Sequence, residues 1–380
     1  MLKVFGEHDA GTLSQMWNCM GVGSVHKGVL CADGHLGYAQ PVGGVIAYEN
    51  HVSISGVGFD IGCGNMAVKT DMTERDIRGR VDGIAKEIGK KINFGVGGTY
   101  ARSRTDIKGL EAIFDSTDWW KDADVEELKD LAYAQLGTVG GGNHYVDVFT
   151  DEEGYVWVGN HFGSRGLGHK TATKYLKLAG GKDGMHVAPA LVADDSELGK
   201  RYVTAMQLAG TYAQAGRAFV VGQVVKILAA KILDVVHNHH NYAWREKHGD
   251  REYWVVRKGA TPAFPGQRGF VGGSMGDDAV IVEGVESEAS REALYSTIHG
   301  AGRLFSRSQA KKTFTRSEMD KWVVEKGVTL VGGDLDESPM AYRRLNEVLA
   351  HHGDTIKINH VLKPIIVVMA GKNCRDPYKD

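Results

Sequence analysis

Four glycine-rich segments of the chain carry side chains that can bind a transition metal. They span residues 56–65 (GVGFDIGCGN), 137–148 (GTVGGGNHYVDV), 158–170 (VGNHFGSRGLGHK) and 237–242 (HNHHNY). Their candidate ligands are Asp60, Cys63, His144, His161, His237, His239 and His240. Neutral imidazole, carboxylate and thiolate groups suit a divalent transition metal, and softness alone favours zinc over manganese. A hydrogen-bonded core position explains any single histidine equally well, but four segments of the same character indicate a metal site.

A further histidine stands in a segment suited to phosphate chemistry. His299 begins residues 299–312 (HGAGRLFSRSQAKK), where backbone amides and the Arg303 guanidinium follow one imidazole. Such groups bind phosphate, and a histidine beside them can attack phosphorus. The loop 270–276 (FVGGSMG) has side chains small enough to approach a nucleotide. A histidine at the C-terminal end of a helix, capped by glycine, would give the same pattern, and His299 is predicted to end a helical stretch.

The elements expected to position these residues are strands and helices interspersed along the chain. Apolar and aromatic runs predict strands at 43–48, 155–160, 252–256 and 279–282. Apolar spacing predicts a helix over 76–94, and a second helix over 196–217 has Ser196 as its N-cap. The apolar run 218–236 is interpreted as a buried helix that ends at the histidines of 237–242.

This mixture predicts an α+β fold, a single compact domain over residues 1–380 with mixed β-sheets and surrounding helices. No regular β-α alternation requires a doubly wound sheet. The polar segment 101–129 is the candidate surface insertion. The residues able to do chemistry fall at strand ends and in glycine loops, where functional side chains concentrate.

The composition is that of a globular protein with an excess of glycine. The 380 residues carry 45 Lys and Arg against 47 Asp and Glu, and the net charge of −2 disfavours disorder and a protein that coats nucleic acid. The 51 glycines and 7 prolines favour close backbone approach over flexible linkers. Four cysteines without C-x-x-C spacing, and a first segment without a secretory signal, favour a reduced cytoplasmic setting. Polar residues interrupt the run 218–236, which excludes it as a membrane span.

Eight ordered motifs resemble the signature segments of the RtcB family of RNA ligases. From residue 33 to residue 303 they are DGHLGYAQPVGGV, GVGFDIGCGN, LGTVGGGNH, NHFGSRGLG, HHNY, VVRKGA, GGSMG and HGAGR. A weaker match extends to DESPMAYRRL at 336–345, so the resemblance covers nearly the whole chain. Eight motifs in this order are far more specific than any single glycine loop.

The resemblance implies an RNA ligase with the family's own α+β fold. Such enzymes join RNA ends carrying a 2′,3′-cyclic phosphate or 3′-phosphate to 5′-hydroxyl ends, using GTP and Mn²⁺, in tRNA splicing or RNA repair. The implied ligands of two Mn²⁺ ions are Cys63 as the bridge, Asp60 and His144 on one ion, and His161 and His240 on the other. His240 is chosen from the triplet because it directly precedes Asn241 and Tyr242.

The resemblance also implies a covalent histidine–GMP intermediate. His299 would become attached to GMP, and Asp33 would orient its imidazole. The RNA 3′-phosphate would then take the GMP to form an RNA-ppG end, and the 5′-hydroxyl of a second RNA would expel it. The residues implied to hold the nucleotide are Asn143, Asp147, Arg165, Ser274, Met275, Gly276, Gly300, Ala301, Gly302, Arg303, Tyr342 and Lys372.

Three positions depart from the family pattern on the side of the base. Asp147 stands where the family usually has a glutamate that contacts guanine, Ala279 replaces a serine, and Met369 replaces a lysine near the C-terminus. Lys372 could substitute for that lysine if the tail bends back. These changes bear on guanine selectivity and leave the metal ligands and His299 intact.

RNA binding by a chain of almost zero net charge requires a local basic face, because phosphate contacts dominate affinity. The candidates are Arg245, Lys247, Arg257, Lys258, Arg268, Arg307, Lys311 and Lys312. Each of them is explained as well by a solvated surface charge. A partner protein that activates the enzyme is compatible with the sequence, and a membrane partner is not expected.

Two other functions compete with ligation. A dinuclear metal phosphoesterase, or a cyclic phosphodiesterase acting on RNA ends, would use the metal cluster without a nucleotidylated His299. A non-catalytic RNA-binding module would hold a structural metal, but such sites usually have four protein ligands per ion. Three protein ligands per ion leave open positions, which favours catalysis, and the HGAGR segment favours the ligase.

Overall fold

The protein is described by a computed structural model that covers residues 1–100, 110–115 and 117–371. The strands are β1 (Leu2–Val4), β2 (Val25–His35), β3 (Val42–Tyr48), β4 (His51–Ser53), β5 (Gly64–Thr73), β6 (Tyr145–Thr150), β7 (Tyr155–Phe162), β8 (Leu191–Ala193), β9 (Ile232–His239), β10 (Asn241–His248), β11 (Arg251–Lys258), β12 (Ala260–Pro262), β13 (Arg268–Val271), β14 (Ala279–Gly284), β15 (Ser296–Ile298), β16 (Thr329–Val331) and β17 (Ile356–Met369). The α-helices are α1 (Ala10–Met20), α2 (Ile54–Val57), α3 (Glu74–Ile77), α4 (Val81–Lys91), α5 (Ala112–Asp115), α6 (Thr117–Asp122), α7 (Lys129–Gln135), α8 (Arg165–Leu178), α9 (Glu197–Leu228), α10 (Glu288–Glu292), α11 (Arg307–Thr313), α12 (Arg316–Glu325) and α13 (Leu345–Ala350). Short 3₁₀ turns occur at Glu126–Leu128, Leu335–Glu337 and Pro339–Ala341.

The larger sheet has eight strands in the order β13-β14-β17-β6-β7-β5-β9, with β16 beside β17. The pairs are antiparallel except for β16 with β17. The two outermost strands of this sheet, β13 and β9, lie close to each other. Arg268 on β13 forms an ion pair with Asp234 on β9. The side chain of Asn238 on β9 also accepts a 2.9 Å hydrogen bond from the Phe270 amide on β13. The sheet is therefore curved nearly into a closed barrel.

The smaller sheet has five strands in the order β1-β2-β3-β11-β10. The chain passes from the larger sheet to this one at His240, which lies between β9 and β10. Asp33 lies in β2 and Lys258 at the end of β11, so this sheet presents polar side chains toward the same junction. The place where the two sheets meet is where the candidate site forms.

The longest helix, α9, begins as predicted, with Ser196 as the N-cap whose hydroxyl accepts a 3.0 Å hydrogen bond from the Gly199 amide. The predicted helix over 218–236 is wrong beyond Leu228. Ala229 adopts a left-handed conformation, with φ of 57°, and ends the helix. Residues 232–239 then form β9, so His237 and His239 lie in a strand and His240 directly follows it. Apolar content alone does not separate a buried helix from a buried strand.

The four predicted strands are confirmed as parts of β3, β7, β11 and β14. The predicted helix over 76–94 is correct for α4, whose Ile84 and Ile88 are buried, but a break after Ile77 separates it from α3. The helical stretch predicted before His299 is wrong, since β15 precedes it and pairs with β12. Helices and mixed sheets packed in one unit confirm the α+β class.

The candidate insertion 101–129 is only partly covered, because residues 101–109 and 116 lie outside the described residues. Its described part enters the main core. Trp120 is fully buried and its indole N–H donates to the Ile113 carbonyl at 2.8 Å, while Val125 is also fully buried. This part is therefore not a surface insertion.

No helix within the described part of the chain is both long and apolar enough to cross a membrane.

Candidate metal and nucleotide site

The candidate metal ligands lie close together because they stand where neighbouring strands of the larger sheet begin or end, at the same end of these strands. Cys63 directly precedes β5, His144 directly precedes β6, and His161 lies near the end of β7. In the register of the sheet, His161 is opposite Asn65 on one side and Tyr145 on the other. Antiparallel pairing thus places the start of β5 and of β6 beside the end of β7, although 98 residues separate Cys63 from His161 in the sequence.

Cys63, His144 and His161 form a buried cluster whose ligand atoms all lie within 4.8 Å of one another. The Cys63 Sγ atom lies 3.5 Å from His161 Nε2 and 3.9 Å from His144 Nε2. Asp60 Oδ2 lies 3.2 Å from His144 Nε2. The thiol is thus central to the cluster, in the position expected of a bridging ligand.

Hydrogen bonds at Nδ1 leave the opposite side of each ring facing the cluster. His161 Nδ1 donates to Asn65 Oδ1 at 2.6 Å, and His144 Nδ1 donates to the Val139 carbonyl at 2.9 Å. Nε2 of both rings is then directed at Cys63. Partners of this kind fix the tautomer and orientation of metal-binding histidines.

His240 completes the group from the junction of the two sheets. Its amide donates to the Cys63 carbonyl at 2.8 Å, and its ring stacks on His161 with centroids 5.0 Å apart. Its Nδ1 is buried and has no hydrogen-bond partner among the described residues. His237 and His239 point elsewhere, to the guanidinium of Arg217. The structure thus separates His240 from the other two histidines of the triplet.

The donor set fits a divalent transition metal. Burial alone would raise the pKa of Asp60, but hydrogen bonding and charge at His144 lower it to about 2, so the carboxyl group is ionised. Thiolate and imidazole donors are characteristic of transition metals and not of Mg²⁺ or Ca²⁺. The unpartnered ring nitrogen of His240 is a further sign that a ligand belongs here.

His299 is held by Asp33 across 266 residues of sequence. Asp33 Oδ2 accepts hydrogen bonds from His299 Nδ1 at 2.6 Å, from the His299 amide at 3.0 Å and from the Gly300 amide at 3.3 Å. Burial would raise the pKa of Asp33, but the His299 imidazole lowers it below the usual range. The carboxylate therefore fixes the orientation of the His299 ring through Nδ1, and Nε2 lies on the opposite side of the ring. The His299 ring lies 4.9 Å from that of His240.

The loop after His299 must pass very close to Asp33. Gly302 has a φ of 74°, and a Cβ atom added there would lie 2.3 Å from the Asp33 carbonyl oxygen. Only glycine fits this backbone position without strain. The glycines of HGAGR thus allow the contact between His299 and Asp33.

A cavity of about 790 Å³ opens onto both the metal cluster and His299. It is large enough for a nucleotide. Among the predicted nucleotide-binding residues, those that line it are Asn143, Asp147, Ser274, Met275, Gly300, Ala301, Gly302, Arg303 and Tyr342. Arg165 and Gly276 are not part of that lining, and Lys372 lies outside the described residues.

Arg165 lies behind the cluster. Its NH1 group is 3.5 Å from His144 Nδ1, and its NH2 group is 3.5 Å from the Gly95 carbonyl. Arg303 lines the cavity, but its NH1 group donates to Glu337 at 3.0 Å and to the Tyr342 hydroxyl at 2.6 Å. Both guanidinium groups thus contact other residues of the chain. The contacts of Arg303 stabilise the loop that follows His299.

Two of the three base-side departures lie in an apolar part of the cavity. Asp147 and Met369 are on the neighbouring strands β6 and β17, and both line the cavity with Met275 and Val367. Burial raises the pKa of Asp147 well above its usual range, and its Oδ1 has no hydrogen-bond partner among the described residues. Burial therefore favours the protonated form of this carboxyl group. Ala279 is buried in the core beside Phe270 and does not line the cavity.

Several members of the predicted basic face are neutralised by carboxylates. Arg257 is fully buried and bound by Glu246, so its assignment to an RNA-binding surface is wrong. The other ion pairs of this set are Arg245 with Asp194, Arg268 with Asp234, Arg307 with Glu337, and Lys311 with Asp334. Lys258 is buried, lines the cavity and donates to the Tyr38 carbonyl at 2.9 Å.

Three residues of the site were not assigned from the sequence. Asn65 orients His161, Glu337 anchors Arg303, and Arg217 contacts the histidine triplet. Asn65 and Glu337 lie inside the recognised motifs, and Arg217 is a charged residue within an apolar helix. A buried polar residue in such a setting is the signal that could have identified them.

Replacing Asn65 with leucine is expected to weaken metal binding about 10- to 100-fold, because His161 loses the partner that fixes its ring. Asn238→Leu is the matched control. Both side chains bond the backbone of Phe270, but only Asn65 accepts from a candidate ligand. Isothermal titration with Mn²⁺ or Co²⁺ measures the effect, and equal affinities of the two variants would contradict the assignment.

The comparisons with known proteins agree with the motifs. The family model described as "tRNA-splicing ligase RtcB" matches residues 15–370. The chain is 30% identical to RNA-splicing ligase RtcB of Escherichia coli, over 88% of each chain. It is 32% identical to tRNA-splicing ligase RtcB of Nanoarchaeum equitans, over 90% of this chain and 87% of that protein, and 29% identical to the Thermococcus kodakarensis protein of the same name.

Proposed function

The chain belongs to the RtcB family, and from this premise we propose that it is an RNA ligase dependent on GTP and Mn²⁺. The substrates are RNA ends with a 2′,3′-cyclic phosphate or 3′-phosphate and RNA ends with a 5′-hydroxyl group, as in tRNA splicing or RNA repair. The observation that carries the proposal is the position of His299. His299 lines the same cavity as the Cys63, His144 and His161 cluster.

The first step forms a bond between His299 and the nucleotide. Nε2 attacks the α-phosphorus of GTP, a P–N bond forms, and the bond to the pyrophosphate oxygen breaks. Asp33 holds the Nδ1 proton and stabilises the positive charge that develops on the ring. Ala301 and Gly302 line the cavity beside the reacting group, and backbone amides of such a loop suit phosphate oxygens.

The next two steps transfer the nucleotide to RNA and then release it. An oxygen of the RNA 3′-phosphate attacks the phosphorus of the histidine-bound GMP, and His299 Nε2 leaves with the electrons of the P–N bond. The 5′-hydroxyl oxygen of the second RNA attacks the 3′-phosphorus of the resulting RNA-ppG end. GMP leaves, and a phosphodiester bond joins the two RNAs. A cyclic phosphate must first be opened by water.

Two metal ions would be held by Asp60, Cys63, His144, His161 and His240. When bound, they supply charge neutralisation for phosphate oxygens and activation of water. Other residues of the chain hold these ligands ready for metal binding. Asn65 and the Val139 carbonyl fix the orientation of the imidazole rings of His161 and His144, and the Asp60 carboxylate is ionised.

A phosphoesterase is the second candidate function, because the metal cluster by itself would be sufficient for opening a cyclic phosphate. Ligation assays with defined ends separate the two functions. We expect joined product from 3′-phosphate or cyclic-phosphate RNA with 5′-hydroxyl RNA, and none from 3′-hydroxyl RNA with 5′-phosphate RNA. Opening of the cyclic phosphate without joining, in the presence of GTP and Mn²⁺, would show a phosphoesterase instead.

Replacing Asp33 with asparagine is expected to slow nucleotidyl transfer by about 10⁴-fold, as when the carboxylate of a Ser-His-Asp triad becomes an amide. The amide neither fixes the His299 tautomer nor stabilises charge on the ring. The rate of label transfer from GTP to the protein measures the effect. Metal affinity serves as the internal control, because Asp33 is not a candidate ligand, and labelling at the rate of the unmodified protein would refute the role.

A further inference from the structure

Arg217 lies in the interior of α9, directly beneath the candidate metal cluster. Its side chain is fully buried. No carboxylate oxygen within residues 1–100, 110–115 and 117–371 forms an ion pair with it. Burying a guanidinium without an ion pair costs free energy of folding. The groups that surround Arg217 therefore indicate its function.

The groups around Arg217 belong to the chain segments that carry the metal ligands. NH1 donates to the carbonyl of Gly62, at 2.9 Å, and to that of Phe162. Gly62 directly precedes Cys63, and Phe162 directly follows His161. The guanidinium therefore binds the backbone on both sides of the Cys63–His161 contact.

The NH2 group of the guanidinium contacts the segment that precedes His240. NH2 lies 2.8 Å from His237 Nε2 and 2.9 Å from His239 Nδ1, and His239 directly precedes His240. Because a guanidinium can only donate, His237 Nε2 accepts from NH2, whereas His239 Nδ1 also lies 2.9 Å from the Gly62 carbonyl. In the sheet, Gly64 is opposite both Phe162 and His239, so one planar group spans the adjacent ends of three strands.

The charge of Arg217 also complements the cluster. The thiol of Cys63 and the carboxyl group of Asp60 are its electrostatic partners. Both are anionic when they bind metal. Helix α9 is fixed to the sheet by a further contact, since the Arg217 carbonyl accepts a 2.9 Å hydrogen bond from Asn160, the neighbour of His161.

We propose that Arg217 is a positioning residue of the metal centre, whose planar guanidinium holds the segments of Cys63, His161 and His240 in the register needed to share metal ions. The inference depends on the ligand set of the proposed function. It assigns a role to a residue that touches neither RNA nor nucleotide and acts only through the ligands.

Arg217→Lys tests this, because lysine keeps the charge but cannot bind three segments at once. Cobalt titration of the full chain reports the Cys63–metal bond through the thiolate-to-metal charge-transfer band. We expect Arg217→Lys to bind cobalt about 10- to 100-fold more weakly than the unmodified protein. Excess Mn²⁺ should restore its ligation kcat, with the KM for RNA unchanged.

The matched control is Arg257→Lys, which alters a second fully buried arginine side chain, bound by Glu246, Ser296 and the Leu294 carbonyl. It should keep the cobalt affinity of the unmodified protein even where its melting temperature falls. If Arg217→Lys binds cobalt as tightly as the control and loses only thermal stability, the proposal is overturned. If the unmodified protein binds no cobalt, the metal site itself, and with it the proposed function, is wrong.

A second pair of variants covers the case in which Arg217→Lys does not fold. His237→Gln keeps an acceptor for NH2, and His237→Leu removes it. We expect weaker cobalt binding in the leucine variant alone. Equal affinities in the two variants would overturn the proposal.

Discussion

His299→Ala abolishes the transfer of label from α-labelled GTP to the protein, if the proposed mechanism holds. Asp33 holds the His299 ring by Nδ1, with the ring 4.9 Å from that of His240 beside the candidate metal cluster. Loss of a covalent nucleophile costs on the order of 10⁶ in kcat in well-characterised hydrolases, so label should fall below detection. The label on the unmodified protein should survive base and be lost in acid, as a phosphoramidate is.

His351→Ala controls for the loss of a histidine, since this side chain is exposed and lies outside the cavity lining. It should label normally. Label that persists in His299→Ala would place the nucleophile elsewhere. Label from ATP and not from GTP would keep the histidine mechanism and refute GTP as the cofactor, a result that the buried Asp147, with its raised pKa, and the apolar Met369 would help to explain.

Cys63→Ser is expected to abolish tight binding of both metal ions and, with it, RNA ligation. Cys63 Sγ is the atom that lies close to both His144 and His161. A thiolate bridges two ions, whereas the serine hydroxyl stays protonated at neutral pH and is a poor ligand for them. Metal content after dialysis and cobalt titration measure the loss, which should exceed that of any single histidine variant.

Cys19→Ser is the matched control. Cys19 is also buried, but its thiol donates to the Ala39 carbonyl at 3.4 Å and lies outside the cavity lining. A hydroxyl can take over that hydrogen bond. Two ions retained by Cys63→Ser would show that the bridging assignment is wrong.

The sequence by itself determined the α+β class, the family and the residue types of the site. The segments that carry Cys63, His144 and His161 are short, glycine-rich and local, so they can be recognised without knowledge of the fold. Strands such as β7 and β11 were predictable for the same reason, because alternation and β-branched residues act over a few neighbouring positions.

Only the tertiary structure decided how these segments meet. Nothing local distinguishes a helix from a strand after Ala229, and the pairing of β9 with β5 is what directs His240 toward Cys63. The contact between Asp33 and His299 joins β2 to the loop after β15 across 266 residues. The partners of Arg217 and Arg303 likewise come from distant segments. Residue types and spacing are properties of short stretches of chain, whereas hydrogen-bond partners depend on strand register and packing, which the whole chain sets together.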